Sequence, residues 1–140
     1  MEIISPFYGE INYTEDEIVT FNKTIPGFDG INKYILKEVE ASTFKLLQAI
    51  DDVNIAFVLV SPFEVENEYE IKLSEEVLKN LDIKNASDVL LYSLVTLNSN
   101  PEKITANLKA PIVININNKR AEQFIIDKEK YKIKHPLMKG

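Results

Sequence analysis

At 140 residues, with 45% hydrophobic and 27% charged residues, the chain has the composition of one globular domain, which excludes a disordered or membrane-spanning protein. The net charge is −6, and the 11 basic and 21 acidic residues before Lys128 give that part a balance of −10. This charge disfavours nucleic acid as a direct partner, and two interpretations stay open: it favours a basic protein as a partner, or it only keeps the domain soluble. The absence of cysteine excludes disulfides and thiolate chemistry and, with no secretory signal visible, predicts a cytoplasmic protein.

Short strands dominate the first half of the chain. Residues 10–13 and 17–21 flank a polar trio and are expected to form a hairpin. Pro26 and Gly27 fit the central positions of a type II turn, because proline presets φ and glycine tolerates positive φ. Further strands are predicted at residues 34–39, 44–50 and 55–60, the last of them an apolar run typical of a strand covered on both faces.

The second half continues the pattern. Alternating residues predict a half-buried strand at 69–74, and Ser74 is suited to cap a short helix near 74–82. A long buried strand at 89–97 and a hairpin of 112–116 with 123–126 follow. About ten short antiparallel strands and one helix predict a mainly β fold, barrel-like or sandwich-like, in a single domain over residues 1–140.

Lysines occupy every second position from Lys128 to Lys134. In an extended chain these four side chains would lie along one edge or face. Two interpretations stay open: an edge strand that lysine protects from aggregation, or a docking patch.

Catalytic and cofactor motifs are absent. The single histidine, His135, directly precedes Pro136 near the end of the chain, where a fixed partner geometry for acid–base work is not expected. The four glycines lack the spacing of a nucleotide-binding loop. We therefore expect no enzyme, no metal and no cofactor.

Two groups of carboxylates are candidate contacts for a basic partner. Asp51 and Asp52 fall between two predicted strands, where a role in the turn is the simpler interpretation. In an extended chain Glu64, Glu66, Glu68 and Glu70 would all project to one side, as a solvated face or as a contact surface. A small acidic enzyme that works through Glu68 and Glu70 is an alternative, and a generic protein-interaction domain is another.

Asparagines interrupt the segment ITANLKAPIVININ at residues 104–117. Pro111 suits the first position of a strand, and Asn117 is expected in the turn that follows. Asn107 and Asn115 have two open roles: hydrogen bonding to irregular backbone at the strand ends, or facing a partner.

The chain resembles the family of the bacterial flagellar assembly factor FliW. The matching pieces cover essentially the whole sequence: FYGEI at 7–11, VTFNKTIPGFDG at 19–30, FKLLQAIDDVNIAFVLVSPF at 44–63, YEIKLSEEVLKNL at 69–81, ANLKAPIVIN at 106–115, QFII at 123–126 and YKIKHPL at 131–137. Ala49 and Lys134 depart from the serine and arginine that are usual in the family.

The resemblance implies a regulator and chaperone without enzymatic activity. Proteins of this family bind newly made flagellin in the cytoplasm and, once released from it, bind the small basic translational repressor CsrA and lift its block on flagellin synthesis. We expect flagellin and CsrA as partners, no membrane, and a monomer in the free form. The contact surface is predicted among Asp51, Asp52, Glu64, Glu66, Glu68, Glu70, Asn107 and Asn115.

Overall fold

The computed structural model describes residues 1–137. Within that range the strands are β1 (Glu2–Ser5), β2 (Gly9–Asn12), β3 (Val19–Phe21), β4 (Lys33–Glu38), β5 (Lys45–Ala49), β6 (Ala56–Val60), β7 (Val89–Thr96), β8 (Thr105–Ala106), β9 (Ile112–Asn115), β10 (Arg120–Gln123) and β11 (His135–Pro136). The helical elements are α1 (Pro62–Val65), α2 (Glu75–Asn80) and three 3-10 turns at Glu15–Glu17, Ala86–Asp88 and Pro101–Lys103.

Seven strands close into a barrel in the order β7, β6, β5, β4, β3, β10 and β9, because β9 pairs with both β10 and β7. The pairing of β10 with β3 is parallel, and the other pairs around the ring are antiparallel. Strands β8 and β11 extend from β7 outside the ring, and β1 with β2 forms a separate hairpin. The prediction of a mainly β, barrel-like fold is confirmed.

Alternate residues of the barrel strands fill its interior. Phe21, Tyr34, Leu47, Leu59 and Ile112 are fully buried there, and the rings of the first two meet edge to face at 5.2 Å between centroids. Side chains at the intervening positions point outward. Because the outward positions of several strands are also apolar, the outer surface of the barrel holds further clusters and grooves.

A second cluster on the outside of the barrel holds the C-terminal segment in place. The Tyr69 hydroxyl donates to the Leu108 carbonyl at 2.8 Å. The Tyr131 hydroxyl accepts from the Glu70 amide at 2.8 Å and donates to the Glu70 carbonyl at 3.0 Å. These bonds satisfy backbone groups that have no strand partner, so the segment around residues 66–70 is packed without being part of a sheet.

The first predicted hairpin was wrong, whereas the turn after it is confirmed. Strand β2 pairs with β1, and the polar trio forms a 3-10 turn because Thr14 and Glu17 build a capping box. Gly27 has a φ of 90°, and the Phe28 amide donates to the Ile25 carbonyl at 2.9 Å, as a type II turn requires.

The predicted helix is confirmed, but it is not the only helix. Ser74 Oγ accepts from the Val77 amide at 3.2 Å at the start of α2. Helix α1 was missed because its four residues, which begin at Pro62, are too few to show a period of 3.6. The predicted strand at 69–74 does not form, although its apolar and polar residues do alternate between buried and exposed positions.

Two predictions near the end of the chain need correction. Strands β9 and β10 do form a hairpin, but β10 begins at Arg120 instead of residue 123, because Lys119 takes a φ of 60° and closes the turn. Residues 124–134 form no strand, so the lysines are not on an edge strand, and His135 lies in β11 instead of a loose end. Strand β7 ends at Thr96, one residue before the predicted end, and Leu90, predicted to be buried, is exposed.

Candidate protein-interaction site

An apolar groove lies between α1, the segment 71–73, α2 and the first half of β7. Its apolar lining includes Phe63, Ile71, Leu73, Leu78, Val89 and Leu91, and its volume is about 510 Å³. We call it the helix groove. Open grooves with apolar floors are the usual form of surfaces that bind amphipathic segments.

Phe63 stands at the rim of the helix groove and is 48% exposed. Its ring meets Tyr69 edge to face, with 5.7 Å between centroids. Because the Tyr69 hydroxyl is held by the Leu108 carbonyl, the support beneath Phe63 is rigid. Aromatic side chains, phenylalanine included, are enriched in protein interfaces relative to the rest of the surface.

Helix α2 forms the opposite wall. Val77 and Leu81 are buried against Val113 of β9, which leaves Leu78 facing the groove. Asn80 at the end of the helix donates to the buried Glu122 carboxylate of β10 at 3.2 Å. Lys23 Nζ lies 3.2 Å from Glu76 Oε1 on the helix and 3.7 Å from Glu122, in a pair that is exposed at its Glu76 side. The wall is therefore attached to the barrel mainly by its buried apolar and amide contacts.

Four carboxylates lie on the segment that joins Phe63 to Ile71. Glu64, Glu68 and Glu70 are exposed, Glu66 is half-buried, and none of the four forms an ion pair within residues 1–137. Glu38, Glu76 and Glu122, in contrast, pair with lysines. The segment beside the groove therefore carries four carboxylates without ion pairs, whereas the charged residues in the lining of the groove itself are Lys72 and Lys84.

The reasoning that placed these glutamates on one side was wrong. Helix α1 contains Glu64, and a turn from Glu66 to Tyr69 follows it, so the chain is not extended over the four residues. Glu66 Oε1 accepts from the Glu68 amide at 3.2 Å and stabilises this turn. The four residues are close in sequence, but strand periodicity does not place them on one side. Their role as a partner contact stays a prediction.

Lys72 and Lys84 lie among the lining residues of the helix groove. Lys84 Nζ is 3.5 Å from Asp82 Oδ1, and both side chains are exposed. Lys72 forms no ion pair within the described part of the chain. A partner that fits this groove would place an acidic or polar group near Lys72 and basic groups toward the glutamates.

Asp51 and Asp52 lie away from the helix groove, in the turn between β5 and β6. Asp51 Oδ2 accepts from the amides of Asn32 and Lys33 at 2.9 and 3.1 Å. Asp52 Oδ1 accepts from the Asn54 amide at 3.0 Å. Both side chains therefore have the turn-stabilising bonds expected from their position, and the structure does not bring them together with Glu64 to Glu70.

Asn107 and Asn115 also bond to nearby backbone. Asn107 Oδ1 accepts from the Lys109 and Ala110 amides, both at 3.0 Å. Asn115 is 2% exposed; its amide group donates to the Leu81 and Asp82 carbonyls at 2.8 and 3.2 Å and accepts from the Asn117 amide at 2.9 Å. Asn115 thus joins α2 to β9. A partner-facing role for either asparagine stays a prediction.

A second groove was missed by the sequence reasoning. It lies over the outward face of β5 and β6 beside the tip of the β1–β2 hairpin, with lining residues that include Phe7, Tyr8, Leu46, Ala56, Val58 and Leu97 and a volume of about 700 Å³. We call it the hairpin groove. It was missed because its strand residues have the apolar pattern of core residues. The sequence feature that could have indicated it is the aromatic pair directly after Pro6, at a hairpin tip where polar residues are usual.

Two features of residues 1–137 bear on the enzymatic alternative and on metal binding. Glu68 and Glu70, on which the enzymatic alternative depends, are exposed and line neither groove. No group of three or more histidine and carboxylate side chains within residues 1–137 is suited to hold a metal ion. Over the same range, every helix is too short or too polar to cross a bilayer.

The whole chain matches one known family. The family model described as FliW protein matches residues 2–137. The flagellar assembly factor FliW of Clostridium botulinum is 50% identical over 139 residues, and that of Clostridium beijerinckii is 46% identical, each alignment covering 99% of both chains. A crystal structure of the flagellar assembly factor FliW superposes with a TM-score of 0.94 at 36% identity, covering 100% of this chain and 99% of the other. The chain belongs to the FliW family of flagellar assembly factors.

Proposed function

We propose that this protein is a non-enzymatic flagellar assembly factor that binds flagellin in the cytoplasm and, when free of flagellin, binds and antagonises the translational repressor CsrA. The observation that carries the proposal is the family match over residues 2–137, together with relatives named as flagellar assembly factors. In this role the protein couples the synthesis of flagellin to its export. Flagellin in the cytoplasm occupies the protein, and the export of flagellin leaves the protein free to bind CsrA.

The apolar surface of the protein is suited to binding a partner protein. The helix groove combines an apolar floor, an exposed aromatic ring at Phe63 and a rigid wall in α2. Such a surface gains affinity from burial of apolar area, at about 25 cal/mol per Å² before the costs of association are subtracted. A partner helix with an apolar stripe fits this description.

The charge distribution supports a basic partner. The unpaired carboxylates on residues 64–70 lie on a body whose balance before Lys128 is −10. Opposite charges raise the rate of encounter and orient the partner, more than they raise the final affinity. A small basic repressor is therefore a suitable partner for the acidic segment 64–70, next to a groove whose own charged lining residues are Lys72 and Lys84.

The decisive experiment is a pair of calorimetric titrations of the purified protein, one with flagellin and one with CsrA. We expect saturable binding of each partner at micromolar or lower concentration, and we expect saturating flagellin to reduce the apparent affinity for CsrA. Reciprocal linkage requires that CsrA reduces the apparent affinity for flagellin by the same factor. If neither partner binds at micromolar concentration, the proposal is wrong.

A further inference from the structure

We propose that residues 128–134, which we call the lysine arm, are an internal counter-charge to the acidic segment 64–70 and slow the encounter of that segment with a basic partner. The inference rests on the proposed function, because it concerns the regulation of the same acidic contact. In the free protein the arm lowers the negative field of the acidic segment. A basic partner therefore approaches a weaker field than the four glutamates alone would give.

The lysine arm lies directly beside the acidic segment. The Tyr131 hydroxyl in the middle of the arm forms hydrogen bonds with the Glu70 amide and carbonyl at 2.8 and 3.0 Å. The rings of Tyr131 and Tyr69 are 4.6 Å apart between centroids. Because screened charges act on one another over about 8 Å at physiological ionic strength, charges that flank this contact on the two segments are within reach of each other.

The backbone of the arm is held in this position. Lys109 Nζ donates to the Lys128 carbonyl at 3.3 Å, and the Leu108 amide donates to the Lys132 carbonyl at 3.0 Å. Tyr131 between them is 5% exposed, and strand β11, which directly follows the arm, pairs with β8. The positive charges of the arm are therefore kept next to the acidic segment instead of moving with a loose terminus.

The charged side chains of both segments act through space and not through close ion pairs. The four lysines of the arm are exposed and form no ion pair within residues 1–137. With Glu129 included, the arm has a balance of +3, against −4 for residues 64–70. The two segments together carry −1, so the arm offsets most of the local charge that a basic partner meets.

This arrangement changes the rate of encounter more than the final affinity. Exposed charges at the rim of an interface mainly steer the approaching partner, and they contribute little to the stability of either the free protein or the complex. No ion pair between the two segments has to be broken when a partner arrives. The arm therefore slows the partner without blocking it.

The first test measures the local field without any partner. A cationic and an anionic nitroxide, the aminomethyl and carboxyl derivatives of PROXYL, are added separately to the isotope-labelled full-length protein. The relaxation that each causes is measured by NMR at the amides of Glu66, Glu68 and Glu70. The arm variant replaces the four lysines of the arm by glutamine, and the matched control replaces four surface cations on β4, α2 and β10 by glutamine, namely Lys33, Lys37, Lys79 and Arg120.

We expect the arm variant to raise the ratio of cationic to anionic relaxation at these amides at least twofold over the wild type, and the control to raise it by less than half as much. If the arm variant behaves like the control or like the wild type, the inference is wrong. Melting temperatures are measured first. The double variant Lys132→Gln with Lys134→Gln keeps the contact of Lys130 Nζ with the Tyr131 ring at 5.5 Å, and it should give a smaller rise in the same direction.

The second test measures the effect on a basic partner, which is CsrA in the proposed function. Stopped-flow association at low salt should be at least threefold faster for the arm variant than for the wild type, with a smaller change for the control, and high salt should remove the difference. If the wild type binds CsrA and the arm variant associates no faster than the control, the inference is wrong while the proposed function stands. If the wild type binds neither CsrA nor flagellin, the proposed function fails, and the regulatory role of the arm fails with it.

Discussion

Ser5 and Gln48 are joined by a hydrogen bond of 2.6 Å between the serine hydroxyl and the glutamine Oε1, and both side chains are buried. Gln48 Nε2 in turn donates to the carbonyls of Ala49, Val53 and Ile55 at 3.0, 2.9 and 3.2 Å. One glutamine therefore connects the tip of the N-terminal hairpin with the turn between β5 and β6. The wall of the hairpin groove and the turn that carries Asp51 are parts of one hydrogen-bonded unit.

Ser5→Ala should lower the free energy of unfolding by about 1–3 kcal/mol, because Gln48 Oε1 would be buried without a donor. Ser87→Ala, at an exposed position, is the control and should change stability by less than about 0.5 kcal/mol. Urea denaturation followed by circular dichroism measures both. Equal midpoints for the two variants would contradict the importance of the Ser5–Gln48 bond.

Reversal of the four glutamates at 64, 66, 68 and 70 to lysine should slow the association with CsrA and flatten its salt dependence. The physical reason is that a rim charge acts mainly on the rate of encounter, and that salt screens this effect. Stopped-flow association at several salt concentrations gives both quantities.

The matched control reverses Glu2, Glu10, Glu15 and Glu102, four exposed acids elsewhere on the chain, and so changes the net charge equally. If both quadruple variants slow association to the same extent, only the net charge matters and the placement of the contact at 64–70 is wrong.

Asn115→Ala should lower the free energy of unfolding by about 1–3 kcal/mol and leave partner binding intact, because the amide satisfies buried backbone groups of α2 and β9. Asn117→Ala, in the exposed turn, is the control and should lie within about 0.5 kcal/mol of the wild type. Thermal melting and calorimetry separate the two effects. Lost partner binding at unchanged stability would show instead that Asn115 faces a partner.

Asn107→Ala should lower stability by about 1 kcal/mol, because two amides after β8 lose their acceptor. The loss should be smaller than for Asn115→Ala, since Asn107 is half-buried and water can replace its oxygen. Calorimetry with flagellin and CsrA should show unchanged affinities. A drop in either affinity without a change in melting temperature would favour the partner-facing role.

Tyr34→Phe should leave stability at neutral pH unchanged or slightly higher, because the buried Tyr34 hydroxyl has no hydrogen-bond partner within the described residues. Burial, with the nearby Asp51 charge as a smaller cause, raises the pKa of Tyr34 to about 12 from the ordinary value of 10.0. The folded state therefore holds the phenolic proton more tightly than the unfolded state does.

The stability that the folded state gains by holding this proton is fully present below pH 10, and it is lost as the pH rises toward about 12. Denaturant titrations between those pH values should show a shallower loss of stability for Tyr34→Phe than for the wild type. Tyr8→Phe, at an exposed hairpin position, is the control and should follow the wild-type curve. If the free energy of unfolding of Tyr34→Phe and of the wild type falls equally with pH, the Tyr34 hydroxyl is not buried without a partner.

Local features were the predictable part of this fold. The turn at Pro26–Gly27, the cap at Ser74 and the positions of strands β4 to β7 depend on residues that are neighbours in sequence, and all of them are close to the prediction. The predicted cover of β6 on both faces was wrong, because Ala56 and Val58 line an open groove. The failure at residues 69–74 has a tertiary cause. Apolar and polar residues alternate over residues 69–74 as they would in a strand, but no neighbouring strand pairs with this segment. The Tyr131 hydroxyl forms hydrogen bonds with the Glu70 amide and carbonyl instead.

Of the candidate site, only the charged residues could be predicted from the sequence. The sequence alone determined an acidic, mainly β protein, the family to which it belongs, and the glutamates at 64–70, because composition, periodicity and motif order are carried by the chain itself. Tertiary structure decided the closure of the barrel through β9 and β7, the apolar helix groove beside those glutamates, and the meeting of Phe7 with Leu97 across the hairpin groove. Contacts of this kind join residues far apart in sequence, and whether an apolar residue is covered or left exposed depends on which distant element packs over it.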